Sequence, residues 1–384
     1  MDSHTYVLSL IENNMGHATY GNFMREHFSK SLSSKVDFYW ANEERQIPTR
    51  ILVKLLSFSF PNQWIVKQNL DFNRFRLQIA SAYIARQLAG RKLNQEKYSA
   101  LHFHTQLLAF LSVDLLRKIP TIVSIDMTNH QASQENTNPK FRWTYNPNII
   151  LEKRVFEAAA RVITTTEWAR RSVIENYNID ENKVKVIYPG INIVKFEPPD
   201  RSKRDPKARY NILFMGGDFK RKGGEDVLEV FLTKFSEVAN LHLVTYAPIE
   251  CKHPNVYIYK NIKAYTPEFL ELYYQADAFV MPTYADAYGT VFLEAMAAGL
   301  PIIATRLGPI REIVSHGETG FLIEPGDRHE LACRIRDLIE NPNLSREMGA
   351  KGRLVAERKF NAKTNFQTLE SLFKEISVSE KLAL

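Results

Sequence analysis

Residues 281–299 read MPTYADAYGTVFLEAMAAG, and this stretch decides the fold class. An apolar strand ends near Pro282, a loop with Asp286 and Gly289 follows, and a run of good helix formers ends at Gly299. A glycine just before a helix lets a ligand approach the free N–H groups of the first turn, where the helix dipole favours an anion. The stretch therefore predicts a strand–loop–helix unit of an α/β protein, with a seat for a diphosphate at the helix start.

Two carboxylates lie in the same stretch, Asp286 in the loop and Glu294 one turn inside the helix. Carboxylates repel phosphate but accept hydrogen bonds from hydroxyl groups, so we predict that Asp286 binds a sugar ring and Glu294 a ribose. The alternative is structural, with Glu294 accepting backbone N–H bonds and Asp286 capping the helix. For an isolated D-x7-E spacing, the structural alternative is the better interpretation.

A second glycine-containing loop lies upstream, where residues 214–224 read FMGGDFKRKGG. A predicted strand ends in glycines, cations follow, and a helix begins. Arg221 and Lys222 would neutralise the charge of a departing diphosphate, a task that suits fixed cations. A basic loop of this kind, taken alone, is more often a solvated surface.

Short apolar runs alternate with helix-like segments along the whole chain, which is typical of parallel sheets wrapped in helices. The strand candidates are Tyr6–Leu10, Val36–Trp40, Ala100–His104, Thr121–Ile125, Val162–Thr165, Val184–Tyr188, Ile212–Met215, His242–Thr245, Val256–Tyr259, Ala278–Met281, Pro301–Ala304 and Gly320–Ile323. A proline-rich, charged segment at 198–206 separates the two halves and predicts a linker. We expect one Rossmann-like domain over 1–197, a second over 198–360, and a helix within 361–384 that returns to the first domain.

The stretch from Met281 to Asp327 resembles the signature of the retaining glycosyltransferases of family GT4, whose donor motif is E-x7-E. The resemblance implies the GT-B fold, in which two Rossmann-like domains with parallel sheets face each other across a cleft that holds the active site. It also reverses the structural interpretation of the two carboxylates. The loop at 214–224 resembles the R-x4-K-G element of the family. The implied donor-binding residues are Gly16, Arg221, Lys222, Asp286, Tyr288, Gly289, Thr290 and Glu294.

Two positions depart from the family pattern. Asp286 stands where the family usually has Glu, and Asp126 follows a strand where many relatives carry His. If the role carries over, Asp126 contacts the reacting sugar or the acceptor; the alternative is that it caps the following turn. The loop after the first strand faces the cleft in this family, which makes Gly16 and His17 candidates there. The expected catalytic residues are Asp126, His17 and Asp286. His102 and His104 alternate along one strand and are expected to be structural; the alternative is that they line the cleft.

The resemblance implies transfer of a sugar from a nucleotide-sugar donor to an acceptor hydroxyl with retention of anomeric configuration, a hexosyltransferase-like activity. The acceptor would be a glycan, a lipid or a small molecule. A UDP- or GDP-sugar is the expected co-substrate, without any further cofactor. No clear Asp-x-Asp motif occurs, so we expect no metal site. The alternative is a non-catalytic module that binds a sugar nucleotide or glycan on the same fold.

Basic residues are concentrated in one region of the chain. Lys and Arg exceed Asp and Glu by seven in all, and between Arg50 and Lys92 eight basic residues accompany one acid, Asp71. Apolar residues at helical spacing are interleaved with them, so residues 50–92 could lie on an anionic membrane or bind an anionic acceptor. A core-facing helix with a solvated basic side is the alternative. Nucleic acid is not expected, since no recognised binding motif accompanies the charge.

The compartment is predicted from three features. The N-terminus lacks the basic start and apolar run of a signal peptide. No apolar run is long enough for a spanning helix. Cys251 and Cys333 lie far apart and indicate neither a disulfide framework nor a zinc site. A cytoplasmic protein is expected, with any membrane contact peripheral.

Overall fold

The computed structural model describes residues 5–12, 17–32, 34–41, 47–58, 61–70, 72–135, 138–201, 204–205, 208–286 and 288–379. Its strands are β1 (Thr5–Ile11), β2 (Ser34–Trp40), β3 (Ala100–His104), β4 (Thr121–Ile125), β5 (Arg161–Thr164), β6 (Val184–Val186), β7 (Tyr210–Met215), β8 (Ala239–Val244), β9 (Val256–Tyr259), β10 (Ala278–Met281), β11 (Ile302–Thr305) and β12 (Gly320–Ile323). Its α-helices are α1 (His17–Ser29), α2 (Ile47–Leu56), α3 (Gln63–Lys67), α4 (Asn73–Gln95), α5 (Val113–Leu116), α6 (Asn129–Gln134), α7 (Asn146–Ala158), α8 (Glu167–Tyr177), α9 (Gly224–Lys234), α10 (Pro267–Gln275), α11 (Thr290–Ala297), α12 (Ile310–Ile313), α13 (Arg328–Glu340), α14 (Pro342–Lys359) and α15 (Ala362–Ser379).

The strands form two six-stranded parallel sheets, one in each of two compact units. The first unit comprises residues 1–189 and 363–384, with strand order β2-β1-β3-β4-β5-β6. The second comprises residues 190–362, with strand order β12-β11-β10-β7-β8-β9. Each predicted strand overlaps one of these strands, and the predicted α/β fold class is confirmed.

The division between the units lies at Pro189–Gly190, before the predicted boundary at 197/198. Ile191 accounts for the difference, because its N–H donates to the carbonyl of Phe360 (2.9 Å) and its carbonyl accepts from Ala362 (3.1 Å). The start of the predicted linker is also attached to the second unit, where Arg201 donates to the carbonyl of Tyr273 (3.1 Å). A proline-rich composition therefore did not mark the boundary here.

Helix α15 belongs to the first unit from Lys363 onward. Its acids bind that unit at two places: Glu370 accepts from the hydroxyl of Ser31 (2.7 Å), and Glu375 accepts from Arg161 (2.5 Å). Its apolar face is buried there as well, at Phe366, Leu369, Leu372, Phe373 and Ile376. Among the helices of the described residues, none is both long and apolar enough to cross a membrane.

Each sheet has one point at which the direction of strand addition reverses. In the first unit β1 has β2 on one side and β3 on the other, and in the second β7 lies between β10 and β8. The loops that leave β1 and β3 therefore start from neighbouring strand ends, and so do the loops that leave β7 and β10. Such switch points form crevices at the carboxyl ends of the strands, where open parallel sheets bind ligands.

The helix that follows β10 and its loop is held by a close helix contact. Gly349 of α14 lies against the carbonyl of Gly299, just past the end of α11, and a side chain at Gly349 would overlap that oxygen. Gly352, one turn later, has ordinary space around it, because a methyl group added there would have Met296 as its nearest neighbour, at 3.7 Å. The approach of α14 to α11 therefore requires glycine at 349 but not at 352.

We predict that Gly349→Ala lowers the free energy of unfolding by about 1–3 kcal/mol, the usual cost of overpacking. Gly352→Ala in the same helix is the matched control, and it should leave stability unchanged or raise it by up to about 1 kcal/mol, because alanine is the better helix former. Urea denaturation of both variants measures the difference. Equal stability of the two variants would show that the contact does not constrain the helices.

Candidate functional site

The loops after β7 and β10 are joined at the switch point of the second unit. The carbonyl of Arg221 accepts hydrogen bonds from the N–H of Tyr284 (2.8 Å) and the hydroxyl of Thr283 (3.2 Å). Gly223 adjoins this junction with φ +77°, and a side chain there would overlap the carbonyl oxygen of Pro282. Glycine tolerates both the positive φ and the close approach. The two loops singled out in the sequence are thus held against each other.

Lys222 and Asp286 form an ion pair across the two loops. Their side chains are 15% and 10% exposed, so the pair is largely shielded from water. The residue predicted to bind phosphate and the residue predicted to bind sugar therefore neutralise each other in the ligand-free site. A diphosphate that approached Lys222 would share the ammonium with Asp286, and a sugar hydroxyl could donate to the carboxylate.

The side chain of Arg221 makes further hydrogen bonds within and between the same two loops. Its Nε donates to Asp218 (3.0 Å) and its Nη1 to the carbonyl of Ala285 (2.7 Å). The backbone N–H of Arg221 also donates to Asp218, and this bond, with the guanidinium beside it, lowers the pKa of the Asp218 carboxyl. A guanidinium carries five N–H donors, so Arg221 keeps donors for a ligand while it holds the loops.

Helix α11 starts next to the ion pair. Gly289 precedes its first residue, Thr290, with φ +77°, and a side chain at Gly289 would come within 3.1 Å of the Asp286 carboxylate and 2.7 Å of the Phe292 ring. The N–H of Tyr288, a buried residue, faces Asp286 at 3.5 Å. The N–H of Phe292 bonds the carbonyl of Gly289 (3.0 Å), so the N–H groups of Thr290 and Val291 are those of the first turn that an anion could use, next to Asp286 and its partner Lys222.

Glu294 is placed differently from the sequence prediction of an open ribose contact. It is 4% exposed, and its two oxygens accept hydrogen bonds from the hydroxyls of Tyr265 (2.8 Å) and Tyr273 (3.0 Å). Burial raises the pKa of its carboxyl to about 7, against the opposing effect of the two tyrosines. The structural role weighed from the sequence is realised, although with tyrosine hydroxyls in place of backbone N–H groups. A carboxylate has about four acceptor positions, so the ribose contact stays a prediction.

A second cluster lies at the switch point of the first unit. His104 is the last residue of β3, Asp126 directly follows β4, and His17 begins α1 after β1. His17 Nδ1 lies 3.1 Å from His104 Nε2, and His17 Nε2 lies 3.5 Å from the Asp126 carboxylate. The ring of Tyr20 stacks on His104 with centroids 5.0 Å apart. The structure thus brings together the two predicted residues His17 and Asp126, whereas Gly16 lies outside the described residues.

The protonation of this cluster follows from its hydrogen bonds. Burial lowers the pKa of His104 well below its usual value, with His17 adding to the effect, so His104 is neutral. A proton on His104 Nε2 can be donated to His17 Nδ1, and His17 then presents its own N–H to Asp126. Burial raises the pKa of the Asp126 carboxyl, and His17 opposes that rise. In this arrangement His17 orients Asp126, and His104 orients His17.

The loop that carries Asp126 is fixed from within the first unit. Gln106 donates to the carbonyl of Met127 (2.9 Å), and buried Glu152 accepts from the N–H of Asn129 (2.9 Å). Burial raises the pKa of Glu152 to about 7. Asp126 therefore lies between β4 and a turn that is held by hydrogen bonds, a better position for contacting a substrate than a mobile loop offers.

The same cluster could hold a metal ion. His17, His104 and Asp126 each offer one ligand atom, and these atoms all lie within 4.8 Å of one another. Two imidazoles and a carboxylate suit Zn²⁺. His102 is not part of the group, because Ser9 (2.8 Å) and Ser124 (2.9 Å) occupy its two nitrogens.

Sequence reasoning missed three residues of these sites. His104 was assigned a structural role with His102, yet its place at the end of β3 brings it to His17. Tyr265 and Tyr273 were not singled out at all, and both bond Glu294. The sequence does predict a carboxylate, Glu294, among the apolar residues of a helix, and a buried carboxylate needs hydrogen-bond donors from neighbouring elements.

We predict that Glu294→Gln changes how stability depends on pH. In the wild type the Glu294 carboxyl loses its proton near pH 4.5 in the unfolded state, whereas in the folded state its pKa is about 7. The folded state binds more protons in that window, so the wild type loses stability as pH rises, by at most about 1.4 kcal/mol per pH unit. The variant lacks this loss. Urea denaturation across the window measures it, and a constant difference between the two proteins would contradict the assignment.

Two family descriptions match the chain. "Glycosyl transferases group 1" matches residues 253–355, and "Glycosyltransferase Family 4" matches residues 41–195. The first covers the loop and helix around Asp286, and the second covers the strands that carry His104 and Asp126.

Individual relatives agree with these matches. The capsular polysaccharide biosynthesis glycosyltransferase CapM of Staphylococcus aureus is 26% identical over 246 residues, which span 58% of this chain and 64% of CapM. The matched stretches cover about half of the length of several other curated relatives. This chain therefore aligns with only part of each relative.

Solved structures show the fold at lower sequence identity. Sucrose-phosphate synthase from Thermosynechococcus elongatus has a TM-score of 0.76 at 18% identity, with 98% of this chain and 100% of that chain covered. Anabaena Alr3699/HepE in complex with UDP and glucose has a TM-score of 0.63 at 15% identity, with 97% and 100% covered. The two matched segments together span more than half of the chain, which belongs to the group 1, family 4 glycosyltransferases, and its two parallel sheets and these solved structures show the GT-B fold.

Proposed function

We propose that this protein transfers a sugar from a nucleotide-sugar donor to an acceptor hydroxyl, with retention of anomeric configuration. The observation that carries the proposal is the shielded Lys222–Asp286 pair beside the N-terminus of α11, at the switch point of the second unit. A cation, a carboxylate and a helix N-terminus lie together there, and they are the groups that a diphosphate-linked sugar would need. Family membership supports the same chemistry.

The departing diphosphate would be bound by Lys222, by Arg221 and by the free N–H groups of the turn at Gly289–Thr290. As the bond between the anomeric carbon and the diphosphate oxygen breaks, negative charge develops on that oxygen, and these donors stabilise it. The acceptor hydroxyl oxygen bonds to the same carbon, and the departing diphosphate takes up the hydroxyl proton. Attack from the face that the diphosphate leaves accounts for retention.

Asp286 would bind a sugar hydroxyl of the donor. Its carboxylate is already paired with Lys222. An ammonium has three N–H donors and a carboxylate about four acceptor positions, so phosphate oxygens can join the lysine and a sugar hydroxyl can join the aspartate while the pair stays in place. Asp286 then keeps its counter-charge in a shielded site, where an unpaired charge is costly. Tyr288 would line the same pocket from the loop.

Glu294 contributes by supporting α11. Its bonds to Tyr265 and Tyr273 hold the helix whose first turn receives the diphosphate. A ribose hydroxyl can join the carboxylate at its remaining acceptor positions, which is the role implied by the family motif. We therefore propose a ribose contact that is added to the tyrosine contacts and does not displace them.

The first unit would bind the acceptor. Asp126, oriented by His17, is proposed to accept a hydrogen bond from the attacking hydroxyl or from the reacting sugar. The family resemblance alone supports the proposal that Gly16 contacts the donor. The acceptor class is a glycan, a lipid or a small molecule. A UDP- or GDP-sugar is the proposed donor, and the UDP bound in the HepE structure supports a nucleotide of this kind.

A panel of nucleotide sugars tests the proposal. A donor present at a hundred times its dissociation constant should stabilise the protein by about 2.7 kcal/mol, which a thermal-shift measurement detects. The stabilising donor is then used in a transfer assay, with anomeric configuration read by NMR. A protein that binds a nucleotide sugar but neither transfers nor hydrolyses it would be a non-catalytic binding module, and the proposed activity would fail.

We predict that Lys222→Ala lowers the transfer rate by about 100-fold or more, the usual effect of removing a group that stabilises developing charge. Lys220→Ala is the matched control, since Lys220 is an exposed lysine of the same loop. Initial rates at saturating donor measure the effect. Equal rates for the two variants would remove Lys222 from the proposed mechanism.

Metal independence is a separate prediction. Because Lys222, Arg221 and the start of α11 already provide positive charge for the diphosphate, treatment with a chelator should leave the transfer rate unchanged. Metal analysis of the untreated protein is the control. If chelation stopped transfer and Zn²⁺ restored it in the wild type but not in His104→Ala, the cluster of His17, His104 and Asp126 would be a metal site required for activity.

A further inference from the structure

Helix α2 exposes a row of large apolar side chains. Ile47, Ile51 and Leu55 are 71%, 58% and 64% exposed. Residues four apart lie on one face of a helix, so the three form a continuous strip. Thr49, at 3% exposure, marks the packed side of the helix. The apolar strip therefore faces solvent in the folded unit.

The exposed surface continues beyond α2. Phe58, Trp64 and Leu70 are 47%, 63% and 41% exposed. Arg76 of α4 holds the chain between α2 and α3, donating to the carbonyls of Leu56 (2.5 Å) and Phe58 (3.1 Å). We call these six residues the α2–α3 apolar face: Ile47, Ile51, Leu55, Phe58, Trp64 and Leu70. Single exposed apolar residues are ordinary, whereas six within residues 47–70 indicate an interaction surface.

Cations accompany the apolar face. Arg50 and Lys54 are exposed on α2, and Arg74 is exposed at the start of α4. Residues 47–77 contain five basic residues and one acid, Asp71. A surface that combines exposed apolar side chains, a tryptophan and unbalanced positive charge is complementary to the interface of an anionic bilayer.

Two cations in the second half of the predicted basic region, residues 50–92, have partners within the protein. Arg86 pairs with Asp114 (2.7 Å), and the ammonium of Lys92 lies over the ring of Tyr39 (4.3 Å). Both cations therefore have partners on the unit's own surface, and the guanidinium of Arg74, although exposed, lies over the ring of Tyr145 (4.5 Å). Next to the α2–α3 apolar face, the exposed positive charge on α2 is that of Arg50 and Lys54.

The face lies at the edge of the sheet that carries the candidate acceptor site. Helix α2 follows the carboxyl end of β2, and α4 leads back to the start of β3. With 23 residues α4 is about 34 Å long, whereas the seven-residue strand β1 spans about 23 Å, so α4 extends past the sheet. Phe72 at its start packs on Trp143, which follows β4, the strand that leads into Asp126.

We propose that the α2–α3 apolar face docks this protein on an anionic lipid bilayer. The apolar side chains enter the interface, and Arg50, Lys54 and Arg74 bind lipid phosphates and carboxylates. The surface is inferred from the first unit alone, so its test does not depend on the proposed transfer activity.

Vesicle co-sedimentation of the full chain tests the proposal. The wild type should bind vesicles of phosphatidylcholine with phosphatidylglycerol, bind vesicles of phosphatidylcholine alone more weakly, and be released by salt. Ile51→Ser/Leu55→Ser should weaken binding to the anionic vesicles at least about tenfold, because two apolar side chains no longer leave water. Ile150→Ser is the matched control, since Ile150 is an isoleucine of α7 with 56% exposure.

A charge variant separates the electrostatic contribution. Arg50→Ala/Lys54→Ala should weaken binding to anionic vesicles roughly tenfold or more while hardly changing binding to neutral vesicles. Arg154→Ala, an exposed arginine of α7, is its control and should bind as the wild type does.

Three results would overturn the proposal. The first is a wild type that binds neither kind of vesicle. The second is a loss of binding that is equal in the face variants and their controls. The third is light scattering that shows self-association in the absence of lipid, abolished by Ile51→Ser/Leu55→Ser, because the face would then bind a second copy. A thermal unfolding midpoint equal to that of the wild type, measured without ligand, verifies that each variant retains its fold.

Discussion

The parallel order of the two sheets is the constraint on which both candidate sites depend. β7 and β10 are neighbours although two other strands separate them in sequence, so their loops meet at one edge. The bonds to the Arg221 carbonyl and the positive φ of Gly223 then hold the loops in contact, which sets Lys222 against Asp286. The same order in the first unit brings β1, β3 and β4 together and places His17 between His104 and Asp126.

Much of this could be predicted from the sequence, because local patterns specify it. Apolar runs of strand length located the strands, and glycines beside cations or before a helix located the loops after β7 and β10. The partners of Glu294 could not be predicted, since Tyr265 and Tyr273 come from other elements and depend on how α10 packs. The role of His104 could not be predicted for a similar reason. The alternation of side chains along β3 puts His104 on the same face as His102, but His104 is the last residue of the strand and therefore lies close to His17. The boundary at Pro189 depends on Ile191 and Ala362, which are distant in sequence.

Both sites use buried polar groups that other side chains satisfy. Glu294 has two tyrosine hydroxyls, and Asp126 has a histidine that a second histidine supports. Networks of this kind cost stability when they are incomplete and restrict side-chain orientation when they are complete. Burial raises the pKa of the Glu294 carboxyl, and the two tyrosine hydroxyls oppose that rise without cancelling it. Asp286 differs, because Lys222 compensates its charge before a ligand arrives.

The chain therefore separates two ways of using positive charge. In the second unit Lys222 is shielded and paired, so an anion must match its position and the position of Asp286 in order to bind. In the first unit Arg50 and Lys54 are exposed among apolar side chains, where no fixed geometry selects the ligand. Salt screens exposed charges strongly and shielded ones weakly. The exposed cations of the first unit suit an extended anionic surface, which offers many equivalent contacts. The shielded lysine of the second unit suits one small ligand whose diphosphate and sugar lie at a set distance.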